Sequence, residues 1–324
     1  MKIPVNDFTR KYKSVINWII ESKEISLKYR VFKDLLEIDE SDNNMIIIRK
    51  EINQSAPVNK ILSKMHPDGY WLEKKYNGEW VGDGVEYGNS SSTHFCLAYL
   101  AELGLDRSNP LIEKAANRYL DLQSHDGDWF EHLSCLNGFN IRNFIMLGYR
   151  NDPRLQRTID LCLKTERIDG GYLCDLHERT GKRFKKKSCI RGSAKVLLAL
   201  AELPEYYDHP RTKTLVNYFL KRRGIFSMRN PDELANKDMG ITSFPFTWGT
   251  NSWEILFALS KMGYGRDERL RDAWDRLEMS RNKDGIYILD YTSSKIPYKF
   301  GKRGDKNPWI TFYILLAKKY MENK

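Results

Sequence analysis

The stretch that decides the fold is Leu100-Ala101-Glu102-Leu103-Gly104, followed by Asn109-Pro110-Leu111 and then by Asp126-Gly127-Asp128-Trp129. It contains the end of one helix, the start of a second helix at a proline, and a tight turn that closes on an aromatic residue. The same parts recur at intervals of roughly 45 to 60 residues, a period typical of repeated helix pairs. Further helix ends occur at Met146-Leu147-Gly148-Tyr149, Leu200-Ala201-Glu202-Leu203-Pro204 and Lys261-Met262-Gly263-Tyr264, and further turns at Asp68-Gly69-Tyr70-Trp71, Asp169-Gly170-Gly171-Tyr172 and Asp284-Gly285-Ile286-Tyr287.

Helical periodicity between these helix ends and turns predicts two series of helices. One series is rich in small and apolar residues, and the other carries charge along one face, as expected for the inner and outer members of a ring. The inner series is predicted at 92–103, 136–147, 189–203, 251–261 and 308–320, the outer series at 110–123, 153–165, 210–223 and 267–280, and N-terminal helices at 12–21, 27–36, 44–53 and 58–65. We therefore predict an all-α protein, a single α/α toroid or (α/α)6 barrel of roughly six helix pairs.

The domain organisation follows from the same pattern. Residues 1–57 are predicted to form the N-terminal helical part of the toroid, and residues 58–324 the repeat region that closes it. Strand is expected only as short pairings within 70–81 and 286–298. The Asp-Gly-aromatic turns are predicted to be scaffold, because Asp supplies a local hydrogen bond, Gly accepts a positive φ, and the aromatic ring fills the gap between helix pairs.

Composition narrows the class of protein. The chain has 324 residues, 41% of them hydrophobic, and a net charge of +10. Its apolar runs fall short of the roughly 20 residues of a membrane span, and its N-terminus lacks the apolar stretch of a signal peptide, so we expect a cytoplasmic protein. The basic residues are spread along the outer faces without the signature of a nucleic-acid-binding module, so no nucleic-acid partner is expected. The oligomeric state is left open.

The N-terminal ends of the inner helices of such a toroid converge on one mouth of a central cavity. Residues about 50 positions apart in sequence therefore become neighbours at this mouth. The candidate cavity residues at those ends are His94, Asn137, Arg191, Trp248, Asn251, Trp253 and Trp309. Their aromatic members could bind a hydrophobic ligand, or they could be ordinary core residues.

Cysteines are concentrated at the same mouth. The chain has five cysteines, an odd number that argues against a disulfide framework and leaves metal binding, catalysis or burial. Three thiolates and one imidazole satisfy the tetrahedral preference of zinc. We therefore predict a zinc site at Cys135, Cys174, His177 and Cys189, with His132 as the alternative imidazole. The competing interpretation is that these thiols are buried apolar residues, as expected for the two cysteines within helical stripes, Cys96 and Cys162.

The repeats resemble those of the terpenoid cyclase and protein prenyltransferase superfamily, whose prenyltransferase/squalene-oxidase repeats carry such Asp-Gly-aromatic turns. The resemblance covers about residues 58–322. It is nearest to short single-toroid proteins of uncertain function, through Cys135-Leu136-Asn137-Gly138, Ser188-Cys189-Ile190-Arg191-Gly192, Phe244-Pro245-Phe246 and Lys306-Asn307-Pro308-Trp309-Ile310-Thr311. It implies a transferase or cyclase whose partner is an isoprenoid or another hydrophobic small molecule.

The same resemblance bears on metal and mechanism. Protein prenyltransferases of this superfamily bind zinc through Asp, Cys and His near this mouth, so a metal here would fit the family. The Asp-x-Asp-Asp and Asp-Asp-x-x-Asp motifs of terpene cyclases and synthases are absent from the sequence, which argues against cyclisation by either route.

Three functions therefore remain open. The first is a zinc-dependent enzyme acting on an isoprenoid or a thiol-containing substrate, and the second is a non-catalytic toroid binding module with a structural zinc site. The third is a carbohydrate-active α/α-barrel enzyme with tryptophans as sugar platforms. Its carboxylates would come from a set whose spacing selects no pair, Asp238, Glu254, Asp290 and Asp305.

Overall fold

The structure is a computed structural model that describes residues 3–71, 73–74, 80–81, 90–130, 132, 134–175, 187–293 and 296–322. The helices in these ranges are α1 (Asp7–Lys11), α2 (Lys13–Ile20), α3 (Ile25–Arg30), α4 (Asn43–Asn53), α5 (Ala56–Leu62), α6 (Thr93–Glu102), α7 (Pro110–Asp121), α8 (Ser134–Met146), α9 (Pro153–Lys164), α10 (Ile190–Leu200), α11 (Pro210–Leu220), α12 (Ser252–Lys261), α13 (Arg271–Glu278) and α14 (Pro308–Glu322). Among the described residues the strands form two short antiparallel pairs, β1 (Met65–His66) with β2 (Tyr70–Trp71) and β3 (Glu73–Lys74) with β4 (Trp80–Val81). The all-α prediction is confirmed.

The helices form a ring of inner and outer members. Within the described residues the inner members are α3, with the π-helix Val31–Leu35 that continues it, followed by α6, α8, α10, α12 and α14. From α6 onward each inner helix packs on the next, α14 packs on the π-helix, and an ion pair of 3.4 Å between Arg30 and Glu102 joins the first inner helix to the second. The predicted toroid is therefore confirmed. None of the helices in these ranges combines the length and the apolar character needed to cross a membrane.

Burial separates the two series of helices as their sequences predict. Every residue of α6 is buried, because an inner helix is covered on all sides. The outer helix α9 buries Leu155, Ile159 and Cys162 along one stripe. It begins at Pro153, whose missing N–H needs no partner in the first turn, and Asp152 caps it by accepting a hydrogen bond from the N–H of Arg154.

The Asp-Gly-aromatic turns lead from each outer helix to the next inner helix. Gly127 has a φ of +90°, and a Cβ atom at this position would lie 2.6 Å from the carbonyl carbon of Arg157, so only glycine fits. The indole N–H of Trp129 reaches back to the preceding outer helix and donates to the carbonyl oxygen of Tyr119 at 3.0 Å. Trp71 and Tyr172 make the same kind of bond to carbonyl oxygens ten residues earlier in the chain. The turns therefore serve as scaffold, as predicted.

Aromatic side chains fill the centre of the ring. Phe244 and Phe246 enter it on either side of Pro245, which follows a cis peptide bond. The ring of Phe246 contacts four inner helices, through Arg142 of α8, Lys195 of α10, Trp253 of α12 and Tyr313 of α14. Phe244 stacks on Trp309 with 5.2 Å between the ring centroids. Two of the predicted cavity residues, Trp253 and Trp309, are thus placed in the buried core.

Candidate active site at the N-terminal mouth

A cleft of about 400 Å³ opens at the mouth where the inner helices begin. Two of the predicted cavity residues, Trp248 and Asn251, line it. The other described residues that line it are Ser90, Phe95, Asp238, Ile241, Ser243, Thr247, Gly249, Tyr291 and Ser293. A concave surface with aromatic side chains and a few convergent polar groups has the character of a small-molecule site.

His94 lies beneath this cleft. Its ring centroid is 4.7 Å from that of Phe95 and 5.5 Å from that of Trp248, and its Nδ1 lies 3.3 Å from the hydroxyl of Ser92. Burial lowers the pKa of His94 to about 3, so the imidazole is neutral at physiological pH. The neutral ring supports Trp248 from below.

Asn251 shapes the wall of the cleft rather than offering a free group to a ligand. Its side-chain oxygen accepts hydrogen bonds from the backbone N–H of Ser243 at 2.7 Å and from the indole N–H of Trp253 at 3.1 Å. Its own backbone N–H donates to Glu254 at 3.1 Å in a capping box that starts α12. These bonds fix the loop before α12 against the helix.

A buried ion pair lies under this mouth. The ammonium of Lys195 in α10 donates to Glu254 in α12 at 2.5 Å, and both side chains are almost fully buried. Burial lowers the pKa of Lys195 and raises the pKa of Glu254, while the contact between the two groups offsets both shifts. The pair joins two neighbouring inner helices.

Arg191 reaches the cleft through Asp238, one of the four carboxylates that the sequence offers for the carbohydrate-active alternative. Its guanidinium hydrogen-bonds to the carboxylate of Asp238, which lines the cleft. Tyr291, which is half-exposed, is a lining residue that the sequence analysis did not identify. Asp238 lies in the 3-10 helix Lys237–Gly240 and Tyr291 lies in a loop, so no helical periodicity identifies either side chain.

Asn137 lies away from the cleft. Its amide donates to Asp128 at 2.8 Å, and it lines a separate cavity of about 130 Å³ between α8 and α9. His132 and Asp175 line the same cavity. The predicted cavity residues are therefore divided among the cleft, the core and this smaller cavity.

The structure brings two of the predicted zinc ligands together. The sulfur atoms of Cys135 and Cys174 are 3.9 Å apart at the start of α8, and both residues are buried. A hydrogen bond from the Cys135 thiol, aided by the backbone N–H groups of Cys135 and Ser134, lowers the pKa of Cys174 to about 7. The same contact raises the pKa of Cys135. By contrast, burial raises the pKa of Cys162, inside its helix, to about 12.

The remaining predicted ligands are placed differently. Cys189 occupies the N-cap position of α10. A Cβ atom at Gly192, in the first turn of α10, would lie 3.7 Å from the Cys135 nitrogen and 3.8 Å from the Cys189 Cβ, so the starts of α8 and α10 are adjacent. His177 lies outside the described residues. The imidazole of His132 faces Asp126 at 3.5 Å. In the described part of the chain, no group of three His, Cys, Asp or Glu side chains is already gathered to hold a metal ion.

Comparison with known proteins shows the fold alone. No protein-family model matches the chain, and no curated protein matches its sequence. A polysaccharide lyase of known structure is 13% identical over 97% of this chain and 99% of its own, with a TM-score of 0.53. A glycosyl hydrolase of family 88 from Bacteroides vulgatus is 13% identical over the same shares, with a TM-score of 0.55. A type II terpene cyclase from Scytonema, 14% identical over 83% of this chain and 97% of its own, has a TM-score of 0.34, which is too low to carry an argument.

Proposed function

We propose that this chain is a zinc-dependent enzyme that works at the N-terminal mouth of the toroid, with the metal held by Cys135, Cys174 and Cys189. The observation that supports this proposal is the distance of 3.9 Å between the sulfur atoms of Cys135 and Cys174. Two thiolates bound to one tetrahedral zinc at about 2.3 Å each are about 3.8 Å apart, so the pair has the spacing of two ligands. His177 is the candidate fourth ligand, with His132 as its alternative.

The donor set fits zinc in its chemistry. Thiolates and an imidazole are the ligands that zinc prefers in proteins, and they form a site without redox chemistry. Cys189 is half-buried beside the pair, at the start of the neighbouring inner helix. We propose that its thiol turns toward the pair when the metal binds.

The proposed chemistry divides between the metal and the chain. Zinc would act as a Lewis acid that activates a bound thiol or water, which would take the place of the imidazole at the fourth position. Arg191, two residues after Cys189, contacts Asp238 in the cleft, so the cysteines and the cleft share the N-terminal mouth. Because Phe246 and its neighbours fill the centre of the ring, an isoprenoid or thiol-containing substrate would reach the metal from this mouth and not through the ring.

Elemental analysis of protein purified without chelator tests the proposal. We expect about one zinc per chain, lost in Cys135→Ser and Cys174→Ser and weakened in Cys189→Ser, because a hydroxyl binds zinc far less well than a thiolate. The matched controls are two serine substitutions within helices, Cys96→Ser and Cys162→Ser, which should keep the metal. Loss in His177→Ala but not in His132→Ala would identify the fourth ligand. Fresh protein without zinc, with Cys135 and Cys174 reactive towards thiol reagents, would contradict the proposal.

A structural zinc site in a non-catalytic binding module is distinguished by the fourth position. A closed site holds four protein ligands, whereas a catalytic site keeps an exchangeable water. Cobalt substitution followed by the visible spectrum on addition of a small thiol separates the two. A spectrum that does not respond to the thiol favours the binding module.

A carbohydrate-active enzyme is the second candidate, and a specific observation favours it. Trp248 and Tyr291 line the cleft beside the carboxylate of Asp238. Of the solved structures with the same fold, one is named a polysaccharide lyase and another a glycosyl hydrolase. Turnover of a glycan by protein stripped of metal would favour this candidate over the zinc-dependent enzyme.

A further inference from the structure

The mouth cleft has the features of a site for a neutral, hydroxylated ring, and its aromatic base is the first of them. Trp248 is half-buried and is held from below, with its centroid 5.0 Å from that of Phe95 and 5.6 Å from that of Phe139. A tryptophan fixed in this way is a rigid platform, so little conformational entropy is lost when a ligand stacks on it.

The rim of the cleft is made of hydroxyl groups. Ser90 and Ser293 come from distant parts of the chain, and the Ser90 hydroxyl donates a hydrogen bond to the Ser293 hydroxyl at 3.3 Å. Thr247 and Tyr291 add two more hydroxyls to the lining. A hydrocarbon placed here would strip water from these groups without replacing their hydrogen bonds, which costs free energy. A ligand that carries hydroxyl groups would form new hydrogen bonds with the rim in place of those to water.

The charges at the cleft cancel each other. Asp238 is the one lining residue in the described part of the cleft that carries a charge, and it hydrogen-bonds to the guanidinium of Arg191. A diphosphate would find no uncompensated cation in this lining. The side chain of Asp238 is 20% exposed, so its carboxylate remains accessible from the cleft. The carboxylate can therefore accept a hydrogen bond from a ligand hydroxyl.

From these features we infer that the cleft binds a saccharide, with one face of the sugar ring on Trp248 and its hydroxyls on the serine rim and Asp238. The inference rests on the proposed function only in taking the same mouth as the working end of the toroid. It names a ligand class that the metal site does not require, so the two proposals can fail separately.

The test is a glycan array probed with the zinc-loaded wild type, followed by calorimetric titration of the strongest saccharide. Trp248→Ala removes the ring on which the sugar stacks and should weaken saccharide binding about tenfold. Trp248→Phe keeps an aromatic ring and should retain most of the affinity. Tyr291→Ala should also weaken binding. Because Tyr291 is half-exposed, that variant stays folded and keeps the test valid if Trp248→Ala does not fold. The matched control is Trp274→Phe, on the outer helix α13.

The outcomes separate the two proposals. Farnesol is titrated in parallel as the hydrocarbon probe, and Cys135→Ser is applied to the same array. Saccharide binding that persists in Cys135→Ser supports the cleft whether or not the metal site exists. No saccharide bound above background by the wild type, or binding unchanged in both Trp248→Ala and Tyr291→Ala, would overturn the inference. Farnesol bound more tightly than every saccharide would overturn it as well.

Discussion

The two mouths of this toroid are built from the same inner helices but differ in chemistry. The C-terminal mouth holds a cavity of about 230 Å³ lined by all six inner segments. Charged groups at this mouth form pairs that join neighbouring inner helices. Arg142 donates to Glu102 at 2.6 Å and to the Tyr313 hydroxyl at 2.9 Å, and Lys261 pairs with Glu202.

The N-terminal mouth has the close thiol pair of Cys135 and Cys174 and the open cleft beside Trp248. Helix dipoles account for part of the difference. Carbonyl groups at helix C-termini favour cations such as Arg142 and Lys261, whereas N–H groups at helix N-termini favour thiolates and other anions. The comparison indicates that one mouth holds the ring closed and the other is available for a ligand.

The largest expected effect comes from breaking the charge network of the C-terminal mouth. Arg142→Met keeps the side-chain volume but leaves Glu102, which is 2% exposed, with the neutral Tyr313 hydroxyl and a 3.4 Å contact to Arg30 as its partners. Removing one partner of a buried ion pair costs about 3–5 kcal/mol, which urea unfolding would measure. The exposed pair of Arg10 and Asp7 supplies the control, since Arg10→Met should leave stability unchanged. The zinc content of folded Arg142→Met should equal that of the wild type.

A smaller effect is expected from the contact that brings α8 and α10 together. A Cβ atom at Gly138 would lie 2.5 Å from the carbonyl carbon of Lys195, so Gly138→Ala must push the two helices apart. Overpacking of this kind costs about 1–3 kcal/mol. Because α8 and α10 carry Cys135 and Cys189, the variant should also bind zinc more weakly.

Gly304→Ala is the control for this prediction, because a Cβ atom at Gly304 meets nothing within 4 Å. Its φ of +87° leaves backbone strain but no clash. Gly138→Ala protein with wild-type stability and zinc affinity would show that the close approach of the two helices is not needed at the N-terminal mouth.

The smallest effect concerns pH. His94 has a pKa of about 3 in the folded protein, whereas an unfolded histidine titrates near 6.5, so the unfolded state binds the extra proton between these values. Stability should therefore be complete above about pH 6.5 and should fall by about 1.4 kcal/mol per pH unit as pH drops below it. Urea unfolding between pH 5 and 7 should show this slope in the wild type and in His125→Gln, where the histidine is exposed, but not in His94→Gln. Equal slopes in all three proteins would exclude His94 as the cause.

The ring could be predicted from the sequence because its repeats are local. The Gly127 turn and the Pro153 helix start are each specified by a few neighbouring residues, and the chain repeats them around the ring. The meeting of Cys135 and Cys174 at one mouth follows from that geometry.

The direction in which each side chain points at the mouth could not be predicted in the same way. A helix start fixes which end of the ring a residue occupies, but not the direction of its side chain. Asn137 follows Cys135 by two residues, about 200° around the helix, and so faces Asp128 while Cys135 faces Cys174. Trp253 also lies at the start of an inner helix, α12, but its side chain points into the core. Asp238 lies in a four-residue 3-10 helix, too short to show periodicity in the sequence, so only the structure places it beside Arg191.

The central claim, a thiolate-bound zinc at the N-terminal mouth, is tested most directly by X-ray absorption at the zinc edge on protein purified without chelator. The claim predicts about three sulfur neighbours at about 2.3 Å and one nitrogen or oxygen neighbour at about 2.0–2.1 Å. The same measurement on Cys174→Ser should lose the sulfur signal or the metal. Fresh wild-type protein without zinc, or zinc surrounded only by nitrogen and oxygen, would contradict the claim.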